Sequence, residues 1–199
     1  ISKEFCKKVI FLLFILLRKI LHLIILCSLL LCSCGNKPKK YIIGVSQCSM
    51  DAWREKLNSE LKTAEYLNDS VEVRLASADD DNASQLSQIN YFIDQGVSLL
   101  IVSPNQVNAI SPALERAQQK GIPVILVDRK TQSKKFTAFI GCDNYLLGKL
   151  VGDYIAQRLN GKGRIVEIRG LDDSSPAIDR HRGFVDALNA YPDVQIVAS

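Results

Sequence analysis

The sequence is poor in the residues and motifs on which catalysis and phosphate binding commonly depend. It contains two histidines, and only His181 lies in the part that we expect to fold. Neither G-x-G-x-x-G after the first predicted strand nor G-x-x-x-x-G-K-[ST] is present, which disfavours dinucleotide and P-loop nucleotide binding. The stretch GVSQC at 44–48 has the start of a nucleophile elbow but lacks its second glycine. We therefore predict no catalytic residues and no cofactor.

An excess of one charge is also missing from the part expected to fold. The whole chain carries a formal charge of +4. Five basic residues and one acidic residue lie within residues 1–34, which leaves 20 basic and 20 acidic residues from Gly35 onward. A balanced domain lacks the positive surface with which proteins attract nucleic acid, so nucleic acid is not an expected partner.

Cysteine is scarce in the same part of the chain. Four of the six cysteines lie within residues 1–34, and only Cys48 and Cys142 remain. They follow the first and fifth predicted strands, which would not be neighbours, so two small buried apolar residues are expected rather than a disulfide. The acidic run Asp79–Asp81 precedes a predicted helix, where solvated carboxylates favour the helix dipole. We therefore predict no metal site.

Residues 1–34 look like an export leader. Basic residues precede the apolar run Ile20–Leu31, which is about the length of a signal rather than of a membrane-spanning helix. Ser33 before Cys34 is similar to a bacterial lipoprotein box, in which Cys34 would be lipidated. An uncleaved membrane anchor is the alternative. No methionine precedes Met50, so we expect the chain to be a fragment.

Short apolar runs separated by helical patterns recur from Tyr41 onward. The runs Leu99–Val102 and Val124–Val127 are too short and too rich in β-branched residues for helices. Uninterrupted apolar runs predict strands covered on both faces, as in a parallel sheet, so the fold class is α/β and doubly wound. The predicted strands are 41–46, 71–77, 99–102, 124–127, 136–140, 164–168 and 194–198, and helices are predicted at 52–67, 145–159, after Asn82, after Ser111 and from Pro176.

Four segments are predicted along the chain. They are the leader at 1–34, a polar linker at 35–40, an N-terminal α/β lobe at 41–142 and the start of a C-terminal α/β lobe at 143–199. Within the last segment, Gly148 and Gly152 predict close helix packing. Its 57 residues are too few for a second α/β lobe, so we expect that lobe to be truncated.

Polar residues directly after apolar strands are the first candidates for a site, because ligands of parallel sheets bind beyond the carboxyl ends of the strands. Asp128 and Arg129 follow the run Val124–Val127. A carboxylate accepts from two adjacent hydroxyls and a guanidinium donates in a fixed fork, which suits a polyhydroxylated ligand. A surface salt bridge is the alternative.

Further candidates lie at two helix starts. Trp53, the only tryptophan, follows the first strand by one turn and could stack on the C–H face of a sugar; a core aromatic is the alternative. Arg54 would donate to the same ligand or face solvent. Arg180 would point towards the strand ends or lie on a solvated helix face, while Ser174 and Ser175 are predicted helix caps.

Five stretches give the chain a resemblance to a known family. They are IIGVSQCSMDAWR, LLIVSPNQVNAI, GIPVILVDRK, FIGCDNYLLGKLVGDYIA and GRIVEIRGLDDSSPAIDRHRGFVDAL, in this order and spacing. From Tyr41 to Ser199 the chain resembles the periplasmic sugar-binding proteins of the ribose-binding type. The same fold supplies the effector domains of lac-type repressors and the input domains of hybrid two-component sensor kinases. The resemblance implies a type I periplasmic-binding-protein fold, in which two lobes joined by a hinge close on a monosaccharide.

The resemblance also implies which residues bind the ligand. Asp143 and Asn144 fall where the chain first crosses between lobes, at the hinge. Ribose binders typically have two aromatics where this chain has Ala52 and Trp53, so the identity of the sugar stays open. The ligand-binding candidates, with Arg54 added as the neighbour of Trp53, are Met50, Trp53, Arg54, Ser103, Asp128, Arg129 and Arg180.

We therefore expect an extracytoplasmic protein that binds a monosaccharide without cofactor or metal. Its expected partner is an ABC-type permease or a sensor kinase, and the leader would tether it to the membrane in the periplasm. A lac-type transcription regulator is the alternative, but it would need a helix-turn-helix in place of the apolar leader. A hydrolase would need a nucleophile with a base nearby, and the sequence offers no convincing pair.

Overall fold

The computed structural model describes residues 13–22 and 40–199. The chain divides into two compact units, residues 1–39 and 40–199. In the first unit, residues 13–22 are helical, and the rest of the predicted leader, with the lipidation candidate Cys34, lies outside the described residues. Among the helices that are described, none combines the length and the apolar character needed to cross a membrane.

The second unit contains two parallel sheets, and the first has five strands in the order β2-β1-β3-β4-β5. Every strand pair in this sheet is parallel, so the predicted doubly wound α/β architecture is confirmed. Its elements are β1 Tyr41–Gln47, α1 Ala52–Tyr66, β2 Val71–Ser77, α2 Asn82–Asp94, β3 Leu99–Ser103, α3 Ser111–Gln119, β4 Val124–Val127 and β5 Ala138–Ile140.

The main core lies between this sheet and the helices α2 and α3. Ile89 on α2, Leu114 on α3 and Leu100 on β3 are fully buried in it. Gly44 in β1 faces Phe92 of α2, and a Cβ there would lie 2.7 Å from Cγ of that ring. The ring therefore packs directly on the strand backbone. Because β1, β3 and β4 are paired in parallel, their carboxyl ends meet at one edge of the sheet.

The second sheet has two parallel strands, β6 Lys162–Val166 and β7 Asp193–Ala198, with the helices α4 Asn144–Arg158 and α5 Ser175–Leu188. The prediction of β6 at 164–168 is wrong by two residues. Asn160 and Gly161 both adopt positive φ, 52° and 75°, directly after α4. These two residues complete the turn, so the strand begins at Lys162.

Helices α4 and α5 cross where glycines allow their backbones to touch. A Cβ on Gly148 would lie 2.0 Å from the carbonyl oxygen of Arg180, and a Cβ on Gly183 would lie 2.0 Å from that of Tyr145. Gly152 packs against α5 one turn further along. The predicted close packing at Gly148 and Gly152 is confirmed, and Gly183 is its counterpart on the facing helix.

Two hydrogen bonds join loops of the first sheet to the segment that begins α5. The Lys130 N–H donates to Ser175 Oγ at 2.7 Å, and the Val107 N–H donates to the Asp173 carbonyl at 3.1 Å. Ser174 stands at the N-cap of α5 as predicted, but its hydroxyl donates to the carbonyl of residue 171 and makes no capping bond. A cavity of about 140 Å³ beside these contacts is lined by Asp80, Asn105, Gln106 and Leu171 to Ser174.

Both cysteines of the second unit are unpaired. Cys48 is buried at the end of β1, as predicted. Cys142 is exposed, so its predicted burial is wrong. It lies in the link Gly141–Asp143 between the edge strand β5 and α4, and the whole of this link faces solvent.

Candidate functional site

The candidate site lies at the edge where β1, β3 and β4 end. Gln47 and Ser103 are paired in register at the ends of β1 and β3, and β4 ends at Val127 beside them. The next residues of each chain segment form three adjacent loops. Ser103, at the end of β3, and Asp128, directly after β4, therefore lie at the ends of neighbouring strands.

Arg54 occupies the centre of this edge. Its side chain is only 5% exposed, so the second of its two predicted alternatives, a solvent-facing position, is wrong. Nη2 donates to Asp128 Oδ2 at 3.0 Å and contacts Ser103 Oγ at 3.4 Å, while Nη1 donates to Asp51 Oδ2. Burial removes water from the guanidinium, and the two carboxylates compensate for the lost hydration by accepting its hydrogen bonds.

Asp51 fixes the start of α1 as well as the arginine. It is the N-cap residue, and its Oδ1 accepts the backbone N–H of Arg54 at 2.9 Å. That backbone hydrogen bond, reinforced by the charge of Arg54, holds the pKa of the Asp51 carboxyl below its usual value. The loop after β1 thus carries a stable negative charge beside Arg54.

Asp128 projects from the end of β4 in an unusual backbone conformation. Its φ is +65°, a region that non-glycine residues rarely adopt and that recurs at functional sites. Its N–H donates to the carbonyl of Ile140 at 2.9 Å, which holds the backbone in place. The neighbouring Arg129 donates through Nη1 to the Asn105 carbonyl at 3.2 Å and places Nε 3.8 Å from Asp128 Oδ2. The ion pair within the dipeptide is thus longer than the one to Arg54.

Trp53 and Met50 form the exposed, apolar rim of the site. They are 51% and 48% exposed, so the alternative prediction of Trp53 as a core aromatic is wrong. The guanidinium carbon of Arg54 lies 5.6 Å from the centre of the indole ring. A half-exposed ring beside buried charged groups can cover the C–H face of a sugar while polar groups take its hydroxyls.

The floor of the site is made of buried polar residues, one of which the sequence analysis missed. Ser103 is 1% exposed, and its carbonyl accepts from Gln85 Nε2 at 2.9 Å. Gln85 Oε1 accepts the N–H of Asn105 at 2.8 Å, so one buried amide holds both the last residue of β3 and the loop that follows it. The available signal was a glutamine on the otherwise apolar face of α2.

Arg180 is not brought to the other candidates by any contact among residues 40–199. Its Nη1 donates to Asn144 Oδ1 at 2.7 Å, and its side chain lines a groove of about 340 Å³ between α4, α5 and the end of β6. Asp143 caps α4 by accepting the N–H of Leu146 at 2.9 Å. Asp143 and Asn144 therefore stand where the chain leaves the first sheet for the second.

The charges at the site suit the binding of an uncharged polar molecule. The described part of the chain has no cluster of three or more metal-ligating side chains. Arg54 and Arg129 stand beside the carboxylates of Asp51 and Asp128, so the charges at this edge balance. Balanced charges next to an exposed indole ring form a surface for an uncharged polyhydroxylated molecule.

Comparisons with known proteins find similar sequences and structures. The profile of the periplasmic binding protein domain family matches residues 43–199. The fructose-binding periplasmic domain of the hybrid two-component system BT1754 has 50% sequence identity and a TM-score of 0.76, with 79% of this chain and 53% of that chain covered.

Two curated relatives are similar over the same region. The galactofuranose-binding protein YtfQ of Escherichia coli is 29% identical over 161 residues, which cover 79% of this chain and 51% of YtfQ. The ribose import binding protein RbsB of Bacillus subtilis is 28% identical over 155 residues, which cover 75% of this chain and 49% of RbsB. The chain thus spans about half the length of the curated relatives it matches, and these relatives are binding proteins rather than enzymes.

Proposed function

The chain belongs to the periplasmic binding protein domain family, and we propose that it forms one wall and the hinge side of a cleft that binds a monosaccharide. The proposed N-terminal lobe is 41–142, and 143–199 begins the C-terminal lobe. Asp143 and Asn144 are the proposed hinge. Ligand bound between the lobes would shift an open-to-closed equilibrium, because it contacts both lobes only in the closed state.

The observation that carries this proposal is the carboxylate of Asp128. It follows β4 at the sheet edge, in a strained backbone conformation, with an arginine on each side. An acceptor of this kind, beside the donors of Arg129 and the ring of Trp53, matches the alternation of hydroxyls and C–H faces on a sugar. Met50 would extend the apolar rim, and Ser103 and Arg54 would support it from below.

Arg180 is the proposed contribution of the second lobe. It is exposed on α5 and linked to the proposed hinge through Asn144. Its guanidinium would reach the ligand only when the lobes close. The hydrogen bond to Asn144 would hold the side chain extended until then.

D-Fructose is the sugar to test first. The support is the 50% identity with a domain described as fructose-binding, which exceeds the 29% identity with the galactofuranose-binding relative. The same comparison supports a ligand-sensing input domain of a membrane sensor kinase. Delivery to an ABC-type permease is the second candidate role, supported by the ribose import relative. The reported relatives give no support to a transcription regulator.

Membership in this family is typical of proteins that act in the periplasm. Attachment to the membrane through residues 1–34, with Cys34 lipidated, remains part of the proposal. Labelling cells with a radioactive or clickable fatty acid would test it, because Cys34→Ala would abolish the label and Cys48→Ala would not.

Isothermal titration calorimetry of the full-length protein with D-fructose, D-ribose, D-galactose and xylitol tests the binding proposal. We expect one of them to bind, and Asp128→Ala to weaken that binding by about 10- to 100-fold, the value of a hydrogen bond to a charged group. Asp94→Ala is the matched control, because Asp94 pairs with Arg116 on α3, away from the site. Unchanged affinity in Asp128→Ala would remove this residue from the site.

A further inference from the structure

Arg54 is the one side chain that touches all three loops of the candidate site within residues 40–199. It contacts Asp51 after β1, Ser103 at the end of β3 and Asp128 after β4. These partners are distant in the sequence, since Asp128 follows Arg54 by 74 residues. A planar guanidinium with five donors can bridge three acceptors at once, which a lysine ammonium on a flexible stem does poorly.

The two oxygens of the Asp128 carboxylate have different surroundings. Arg54 Nη2 lies 3.0 Å from Oδ2, and Arg129 Nε lies 3.8 Å from the same oxygen. In the described part of the chain, no hydrogen bond is made to Oδ1. The Asp128 side chain is 36% exposed, so its free edge is accessible from the cleft.

We infer that Arg54 is a positioning residue that acts through Asp128 rather than a direct sugar contact, and that Asp128 receives a single ligand hydroxyl on Oδ1. This inference rests on the proposed function and sharpens it. The sequence predicted that the carboxylate would take two adjacent hydroxyls. In the structure Asp128 Oδ2 already accepts a hydrogen bond from Arg54. The adjacent hydroxyl of the sugar would therefore accept a hydrogen bond from Arg129 instead.

The burial of Arg54 argues against direct contact. Its side chain is 5% exposed, whereas that of Arg129 is 14% exposed and that of Asp128 36%. Both Nη atoms of Arg54 already donate to protein carboxylates, Nη1 to Asp51 and Nη2 to Asp128. A buried side chain that holds three loops in place reduces their conformational freedom before the ligand arrives. The entropy cost of binding is therefore smaller.

The first arm of the test needs no sugar. Hydrogen exchange of the full-length protein is compared between wild type, Arg54→Met and Arg116→Met. Arg116 is a matched control, because it also bridges two side chains, Asn90 and Asp94, on another face. We expect about tenfold faster exchange at residues 128–130 in Arg54→Met only, as for the loss of one charge-assisted hydrogen bond. Unchanged exchange there overturns the inference.

The second arm measures affinity for D-fructose, or for the tightest sugar of the calorimetric panel. Arg54→Met should weaken binding by about 10- to 100-fold in the wild-type background. In the Asp128→Ala background the same change should cost less than about a third of that factor, because the acceptor for Arg54 Nη2 is already gone. An equal loss in both backgrounds would mean that Arg54 contacts the sugar directly, and would overturn the inference.

Arg54→Lys keeps the test decisive if Arg54→Met does not fold. Lysine retains the charge but cannot span the three loops, so Arg54→Lys should show faster exchange at 128–130. Its melting temperature should stay within a few degrees of the wild-type value. If wild-type protein binds none of the sugars, the proposed function fails. The exchange arm then still decides whether Arg54 positions Asp128.

Discussion

Trp53 is more exposed to solvent than a large aromatic side chain usually is in a folded domain. About half of its surface faces solvent, although burying the ring would stabilise the fold. We expect Trp53→Ala to weaken sugar binding by about tenfold or more and to change the free energy of unfolding by less than about 0.5 kcal/mol.

The control for this prediction lies on the same helix. Tyr66, at the end of α1, is 85% exposed and far along the helix from the site. Tyr66→Ala should leave affinity unchanged, and Trp53→Phe should retain part of it, because a smaller ring still stacks. Equal calorimetric affinities for Trp53→Ala and wild type would show that the ring does not meet the ligand.

Asp51 couples the site to pH. The pKa of its carboxyl is lowered in the folded state, chiefly by the backbone N–H of Arg54. A lowered pKa means that the carboxylate stabilises the fold fully above its unfolded value near 3.8, and that this contribution is lost as pH falls through the folded pKa. Because the side chain is half exposed, screening keeps the effect near that of an ordinary N-cap.

Asp51→Ala should therefore lower the free energy of unfolding by about 1 kcal/mol at pH 7, the usual value of an N-cap. The difference from wild type should shrink as the pH is lowered below 4 in urea denaturation. Asp51→Asn, which keeps the cap but not the charge, should lose less at pH 7. A difference that stays constant from pH 7 to pH 3 would contradict the titration of this carboxylate.

The residues after the strands were predictable because parallel strands end at one edge. That rule identified Asp128 and Arg129 from the sequence alone, and the resemblance to a known family added Ser103. The burial of Arg54 was not predictable, because it depends on a carboxylate 74 residues away that compensates its charge. Gln85 was missed for a similar reason, since its partners lie in a loop 18 to 20 residues later.

At the scale of elements, the crossing of α4 and α5 fixes the position of the Arg180 backbone, from which its side chain extends. Gly183 has no room for a side chain, because a Cβ would meet the Tyr145 carbonyl at 2.0 Å. Gly183→Ala should push the helices apart and lower the free energy of unfolding by about 1–3 kcal/mol or more, as for overpacking in a core. Thermal unfolding followed by circular dichroism measures the loss.

Gly163→Ala is the matched control for this crossing. Its Cβ would meet only the side-chain end of Leu159, at 3.1 Å, and that side chain can adjust. The variant should therefore lose much less stability than Gly183→Ala. Equal melting temperatures for the two variants would mean that the helices separate without cost.

Helix and strand periodicity predicted the element types, but it did not predict how turns shorten or shift them. The turn at Asn160 and Gly161 needs two consecutive residues with positive φ, which the sequence Asn-Gly permits without requiring. Similarly, Ser174 and Ser175 were correctly predicted at a helix start. The Ser175 hydroxyl accepts the Lys130 N–H from a distant loop, and the Ser174 hydroxyl donates to the Leu171 carbonyl, so neither caps the helix.

At the scale of the whole molecule, two hydrogen bonds connect loops of the first sheet to the segment that begins α5, and we expect them to couple ligand binding to closure. The Lys130 N–H to Ser175 bond follows the ligand candidates Asp128 and Arg129 by one or two residues. The loop after β4 would contact the ligand through Asp128 and Arg129 and α5 through Lys130. Ligand binding would therefore directly affect the position of α5. The same segment holds the second bond, from Val107 to Asp173.

We expect Ser175→Ala to weaken sugar binding although Ser175 is not a proposed sugar contact, because the variant removes the hydrogen bond between the loop after β4 and α5. One neutral hydrogen bond corresponds to about a two- to tenfold loss of affinity. Ser174→Ala is the matched control, because that hydroxyl bonds within its own loop, to the carbonyl of Leu171. Calorimetry combined with small-angle scattering should show weaker binding and a larger radius of gyration at subsaturating sugar for Ser175→Ala alone. Identical behaviour of the two variants would mean that the Lys130–Ser175 bond does not report closure.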